Sequence, residues 1–467
     1  MNVIERSYTN LAISDRDEFV FGRCPHPVTA GHGLRIGAGT VYPELNFTLP
    51  PMTISSETMP QVRAQYTEMI DDVCARAVAL EAPGLVVEFE LLPQLTEEPR
   101  WGADVTAILR DTLDRYHDRD GLVSALRVTP NDIREFIRPP LMHSGEKWEQ
   151  MIESFERCAS AGADMLAIES TGGKELHDDA LIAADLPAAV LALGVLAPRD
   201  MAVLWDRIVQ IADDHGVIAS GDTACGFANT AMVLAETHSI PRVWAAVIRV
   251  ISVVRSLVAF ERGAVGPSKD CAYEGPYLKA ITGCPIAMEG SESACAHLSP
   301  VGNITRATAD LWSNESVANV KLLGAMAPTV SLEQLVYACR LMNAATAAGP
   351  DAQLQLRDLF VASDASLDPQ AHVLRPDVVL ELAAEIIAEP TPYRRVRRAA
   401  IATLSSLRTA HEAGAFSLAR PERSWLSRLS AAADELPEDE EEFIADTLRG
   451  LDLSKVRLDQ YGLRAPR

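Results

Sequence analysis

Leu85-Val86-Val87-Glu88-Phe89-Glu90 is a short apolar run ending in acid, and the alternation that begins with it decides the fold. Residues 104–118 carry a helical period, 122–128 form a second strand-like run, and 146–161 form an amphipathic helix. The order then repeats. Met165-Leu166-Ala167-Ile168 reads as a strand, 178–186 and 200–215 as helices, 217–220 as a strand, and 229–237 and 243–260 as helices. Ala264-Val265 and Pro285-Ile286-Ala287-Met288 are further strand candidates, while 188–196 reads either as a strand or as the end of a helix. Strands of about 4–8 residues alternating with helices of about 10–18 call for parallel βα units. Their number predicts a (β/α)8 TIM barrel over residues 61–350, beginning with a helix at 61–80. No Gly-x-Gly-x-x-Gly turn follows the first strand, which removes the main sign of a nucleotide-binding sheet.

On either side of this alternation the pattern changes. Residues 1–60 are rich in Gly and Pro without a helical period and read as an irregular N-terminal extension. Residues 351–467 read as a C-terminal helical region that could serve as a cap, a dimerisation element or a docking surface. Its acidic run at 435–442 reads as a solvated helix start.

The formal charge of −23 argues against nucleic acid or an anionic membrane as partner, since both need basic surface, and would suit a partner with a basic patch. Met1-Asn2-Val3-Ile4-Glu5-Arg6 lacks the basic-then-apolar order of a signal peptide. The greasiest stretch, 243–265, is interrupted by Arg249, Arg255, Glu261 and Arg262. That argues against a membrane span and for a buried or subunit-interface helix, which makes a homodimer plausible. Eight Cys without a short-range framework predict a reducing cytoplasm with free or metal-bound thiols.

Three of the strand ends carry chemistry. Ile168-Glu169-Ser170-Thr171-Gly172-Gly173 puts a carboxylate just past one strand. Asp222-Thr223-Ala224-Cys225-Gly226 and Lys269-Asp270-Cys271-Ala272-Tyr273-Glu274 each put a thiol where a loop opens. In a barrel, chemistry gathers at the C-terminal ends of the strands. Two thiolates and one carboxylate there suggest a zinc site with a coordination position left open. The residues alone leave other readings open: a Cys is usually a small buried hydrophobe, and Glu169 could equally pair with Lys174. Cys24, Cys74, Cys158, Cys284, Cys295 and Cys339 take the core reading.

The run from Gly221-Asp222-Thr223-Ala224-Cys225 to Met232 resembles the B subunit of methanol:corrinoid methyltransferases. So do Gly266-Pro267-Ser268-Lys269-Asp270-Cys271, Ala294-Cys295-Ala296-His297, Asp310-Leu311-Trp312-Ser313-Asn314 and the Glu169 run, and the similarity spans nearly the whole chain. The resemblance implies a (β/α)8 barrel with one catalytic zinc on Glu169, Cys225 and Cys271. It also implies transfer of the methyl group of methanol to the Co(I) corrinoid of a separate carrier protein. No Asp-x-His-x-x-Gly is present to ligate cobalt, in agreement with a separate carrier. Ala272 stands where Gly is expected, and Thr223-Ala224 also depart from the pattern; neither change removes a ligand.

For managing the substrate's hydroxyl proton the candidates are Asp222 first, then Glu88 and Asp270, each near a strand end. Asp222 could instead orient a ligand through a hydrogen bond. His297 and Asp270 are candidates for facing substrate or corrinoid, and Asn303 and Asn314 for helix caps. Two other functions stay open: a zinc methyltransferase acting on a methylated thiol or methoxylated compound, and a barrel subunit without catalysis.

Overall fold

The computed structural model describes residues 6–49, 52–291, 297–317 and 321–464. Its central sheet has parallel strands β1 Tyr42–Thr48, β2 Leu85–Glu90, β3 Ser124–Thr129, β4 Met165–Ile168, β5 Ile218–Asp222, β6 Ala287–Glu289 and β7 Leu311–Val317. Strands β1 to β5 pair in chain order, and β7 pairs with both β6 and β1. Residues 265–268 fill the gap between β5 and β6. Val265 and Gly266 donate to the carbonyls of Ala219 and Ser220 at 3.0 and 2.9 Å, and Ser268 bridges Ile286 in parallel. With this eighth stave the sheet closes into the expected barrel, which leaves no free edge.

Around it run α1 Met59–Ala79, α2 Pro99–Asp120, α3 Glu146–Ser160, α4 Lys174–Ala183, α5 Leu186–His215, α6 Arg242–Arg262, α7 Gly275–Thr282 and α8 Ala327–Ala348. The ambiguous stretch 188–196 is helical and lies within α5. A π-turn at Ala192–Leu196 sits one turn before Pro198, whose ring would clash with the carbonyl of residue 194 in a regular α-helix. Residues Ala188 to Ala197 are all buried, which explains why they show no polar period.

The barrel begins earlier than the sequence suggests. Strand β1 and a hairpin of Arg23–Ala30 with Leu34–Ala38 lie in the stretch expected as an irregular extension. The physical reason is the polar face of β1. Glu44 and Asn46 are buried against Arg127 and Glu90, so the strand has no apolar run to recognise. The hairpin plugs the bottom of the barrel: Ala30, Leu34 and Ile36 pack with Val86, Ala125, Met165 and Leu311. A Cβ at Gly31 would lie 2.2 Å from the Ser124 carbonyl, so only glycine lets the hairpin turn press that close.

By length and composition α5 and α6 could each cross a membrane, yet both lie inside the fold, with every residue of α6 from Val243 to Phe260 buried. What covers α6 is the C-terminal region itself: α9 Pro376–Ile387, α10 Pro392–Glu412, α11 Arg420–Asp434 and α12 Glu440–Leu448, of which α10 and α11 pack on it. Glu422 of α11 caps the first turn of α6, accepting from the amides of Arg242 and Val243, both at 3.0 Å. The α6 surface is therefore spent within one chain, and of the two readings, buried or subunit-interface helix, the described residues bear out the buried one. The acidic run does start a helix, with Asp439 accepting from the amide of Glu442 at 2.9 Å. Leu257, fully buried on α6, tests this packing. Leu257→Ala is expected to destabilise by about 2–5 kcal/mol, read as a lowered urea midpoint.

Candidate metal centre

Glu169 follows β4 directly, Cys225 lies three residues past β5, and Cys271 three past the eighth stave. The closed barrel brings these ends together: one ligand atom from each lies within 4.8 Å of the other two, and the Cys271 thiol donates to Glu169 Oε1 at 2.9 Å. They sit at a cavity of about 420 Å³, lined by Glu90, Asp132, Glu169, Thr171, Cys225 and His297 among others. Cys271 lies beneath the lining, 6% exposed.

Each loop is held by named contacts. Thr223 Oγ1 donates to the Cys271 carbonyl, and the Ala224 amide donates to Glu274 Oε1 at 2.6 Å, so the two thiol loops are stapled to each other. Asn229 Nδ2 reaches Cys225 Sγ at 3.8 Å across a π-turn at Cys225–Asn229. Ala272 and Tyr273 both adopt left-handed backbone, φ +67° and +59°. That explains why glycine is expected at 272, since a side chain there costs about 1–2 kcal/mol. The turn is held by Arg249, which donates to the Ala272 carbonyl and lies over the Tyr273 ring, and by Tyr273 Oη, which donates to Glu289 Oε2 at 3.0 Å.

Beneath the three groups lies a buried charge cluster. Lys269 Nζ stands 2.7 Å from Asp270, 2.8 Å from Glu90, 3.2 Å from Glu88 and 3.4 Å from Glu169. Arg127 pairs with Glu44 and donates to the Ser268 carbonyl at 2.9 Å. Two cations do not neutralise this many acids. Burial, reinforced by Glu90, pushes Glu169 up to about 8, and burial likewise pushes Glu44 up to about 8. A hydrogen bond with Cys271 favours the Cys225 thiolate, but burial and the Glu169 charge push the thiol up to about 12. Cys271 is also raised, by that bond and by burial. Two thiols and a carboxylate crowded this closely can all be charged only around a cation. Soft sulfur with one oxygen fits zinc better than a hard, oxygen-seeking ion. Among the described residues, the other candidate clusters (Asp270, Cys271, Glu289; Glu289, His297, Glu315; Glu44, Glu88, Asp270) hold at most one thiol.

Several expected roles need correction. Asp222 is 1% exposed and bound by Trp205 Nε1 at 2.9 Å, Arg255 at 3.1 Å and the amides of Thr223 and Ser170 at 2.7 and 3.3 Å. It orients the Glu169 loop and has no face on the cavity. Glu88 and Asp270 are also buried, held by Thr129 and Lys269, and neither lines the cavity. The carboxylate that does line it from β2 is Glu90, one inward position nearer the mouth. Lys174 pairs with Asp178 at 2.5 Å, leaving Glu169 to Lys269. His297 lines the cavity, with Nδ1 3.4 Å from Glu289 Oε2. Asn303 stands at the N-cap position of the turn Ile304–Thr308 as expected, but its side chain goes to Asp364, which accepts from the turn's first amides instead, and Asn314 lies on β7. Cys24, Cys74, Cys158, Cys284 and Cys339 are buried as expected, and Cys295 lies outside the described residues. Lys269 and Glu90 are groups of the site that no sequence motif singles out, although Lys269 stands two residues before Cys271.

The model of the family described as methanol-cobalamin methyltransferase B subunit matches residues 5–462. A protein of Methanosarcina barkeri (strain Fusaro / DSM 804), named methanol--corrinoid protein co-methyltransferase, is 39% identical over 447 residues, 95% of this chain and 96% of the relative. A chain in the crystal structure of the methanol:cobalamin methyltransferase complex MtaBC from Methanosarcina barkeri superposes with a TM-score of 0.94 at 36% identity, covering 98% of this chain and 100% of that one. The agreement runs from the N-terminal hairpin to the last turn, and this chain belongs to the methanol-cobalamin methyltransferase B subunit family.

Proposed function

We propose that this chain moves the methyl group of methanol to the Co(I) corrinoid of a separate carrier protein, using one zinc ion held by Glu169, Cys225 and Cys271. The observation that carries this reading is the convergence of two thiols and one carboxylate at the mouth of a barrel whose relatives are named for that reaction. When bound, zinc supplies Lewis acidity toward an alcohol oxygen, easing the departure of a poor leaving group.

The chain's own residues do the rest. Glu169, Cys225 and Cys271 are three donors, the usual number where a position is kept for substrate. Lys269 fixes Glu169 and Glu90 in a common frame. In the transfer the methyl carbon–oxygen bond breaks, the cobalt supplies the electron pair for the new bond to carbon, and the departing hydroxide takes up a proton to leave as water. We assign the handling of that proton to Glu90 in place of Asp222, because Glu90 faces the cavity.

The cavity is far larger than a one-carbon alcohol requires and leaves room for an acceptor to approach the methyl carbon. Exposed apolar side chains stand on loops that come after three strands at this end: Phe136 and Ile137 after β3, Leu298 after β6, and Leu322 and Leu323 after β7. Apolar groups left in water around a mouth suit a docking carrier. The formal charge of −23 suits one with a basic face. Free thiols among the described residues suit a reducing compartment such as the cytoplasm.

Cys225→Ala and Cys271→Ala are each expected to abolish both bound zinc and methyl transfer from methanol to cob(I)alamin, whereas Cys284→Ala should leave metal content unchanged. Stoichiometric zinc in either ligand variant would reject the site. Faster transfer from a methylated thiol or a methoxylated compound than from methanol would replace the donor. Full zinc content with no transfer from any donor would favour a subunit without catalysis.

The pH dependence has a definite sign. Both thiols are raised and protonated at pH 7, Cys225 up to about 12, so each loses a proton when it binds metal. Zinc affinity therefore falls as pH falls. Calorimetry in buffers of different ionisation enthalpy should report release of about two protons or more at pH 7. Release of none would rule out thiolate ligation.

A further inference from the structure

The loop that carries Glu169 is gripped at every one of its next residues. Ser170 is held by Asp222 and by Arg255, which donates to its carbonyl at 3.2 Å. The Thr171 amide and hydroxyl both donate to Asp132 Oδ2, at 2.8 and 2.9 Å. Gly172 lies against Asp200 so closely that a Cβ would come within 2.3 Å of its carboxylate. Gly173 precedes α4 in left-handed backbone, φ +82°, and has no side chain with which to cap that helix.

A residue from the far end of the chain takes that place. The turn Leu458–Tyr461 comes after the last helix, and Tyr461 Oη accepts from the Gly173 amide at 3.0 Å while donating to Glu175 Oε1 at 3.1 Å. Its neighbour Gln460 accepts from the His143 amide at 3.2 Å, and His143 Nε2 lies 2.9 Å from Asp200. Asp200 is joined through Arg134 to Asp132, the acceptor of Thr171. Two adjacent C-terminal residues thus reach both ends of the network around the loop, and Tyr461 is 3% exposed.

We infer that Tyr461 is a positioning residue for Glu169: its hydroxyl fixes the loop that aims this carboxylate, and the C-terminal region thereby serves the metal centre. The inference rests on the proposed metal site, and the role is separable from packing because it belongs to one oxygen atom. Tyr461→Phe keeps the ring and removes that oxygen. Glu175→Ala removes one of its two partners and keeps the tyrosine. In Glu175→Gln the amide oxygen can still accept from the hydroxyl.

The test uses the full chain loaded with Co(II) in place of zinc. It reads the thiolate-to-metal charge-transfer band, the d–d bands, and the rate of metal release to a chelator. Tyr461→Phe is expected to keep the charge-transfer band, since both thiols stay, with shifted d–d bands and release about 10-fold faster. Glu175→Ala should behave in the same way and carries the test if Tyr461→Phe does not fold. Glu175→Gln should stay near the parent chain. Parent-like spectra and release in both Tyr461→Phe and Glu175→Ala would overturn the positioning role. A parent chain without a thiolate band, or one whose band survives Cys225→Ala, would instead overturn the metal site and the inference with it.

Discussion

Crowding acids inside a barrel is the constraint on which the rest of this structure depends. Glu44, Glu88, Glu90, Glu169 and Asp270 lie close together beside two thiols, where burial makes every uncompensated charge costly. Lys269 and Arg127 are the cations set among these acids, and each lies beside more than one carboxylate. Such buried pairs add little net stability, since desolvation offsets their attraction. What they do is fix geometry, because moving either partner alone would leave a bare charge in a low dielectric. The arrangement remains short of positive charge at the place where Cys225, Cys271 and Glu169 meet.

The same logic explains α6. An otherwise greasy helix carries Arg249 and Arg255 because both point away from solvent, toward the ligand loops. Arg249 holds the strained turn after Cys271, and Arg255 holds Asp222 and the carbonyl of Ser170, next to Glu169. A helix that positions two loops must itself be held, and the C-terminal helices bury it and cap its first turn. The region after residue 350 is thus continuous with the support of the site.

Much of the site was readable because strand ends in a barrel are a fixed address. Three short apolar runs, each leading to a ligand-type residue at a strand end, marked Glu169, Cys225 and Cys271 as candidates, and the family resemblance singled them out as one set. Roles within the second layer were not readable in this way. Asp222 and Glu90 are both acids at strand ends, yet one is enclosed by Trp205 and Arg255 while the other faces the cavity. Nothing in the chain near either residue distinguishes them, since their surroundings come from elements far away in sequence. Strand β1 was missed for a related reason, because its inward polar residues have partners only after the barrel has closed.

By itself the sequence determined the periodicities, and so most of the βα order, the barrel class and the strand ends at which Glu169, Cys225 and Cys271 stand, since local spacing sets which side chains share a face. Only the tertiary structure decided which acids face the cavity, that Lys269 binds several of them, that α6 is covered by its own chain, and that Tyr461 reaches Gly173. Most of those contacts join residues 100 or more positions apart, and a hydrogen bond or ion pair depends on distance in space, which no local pattern encodes.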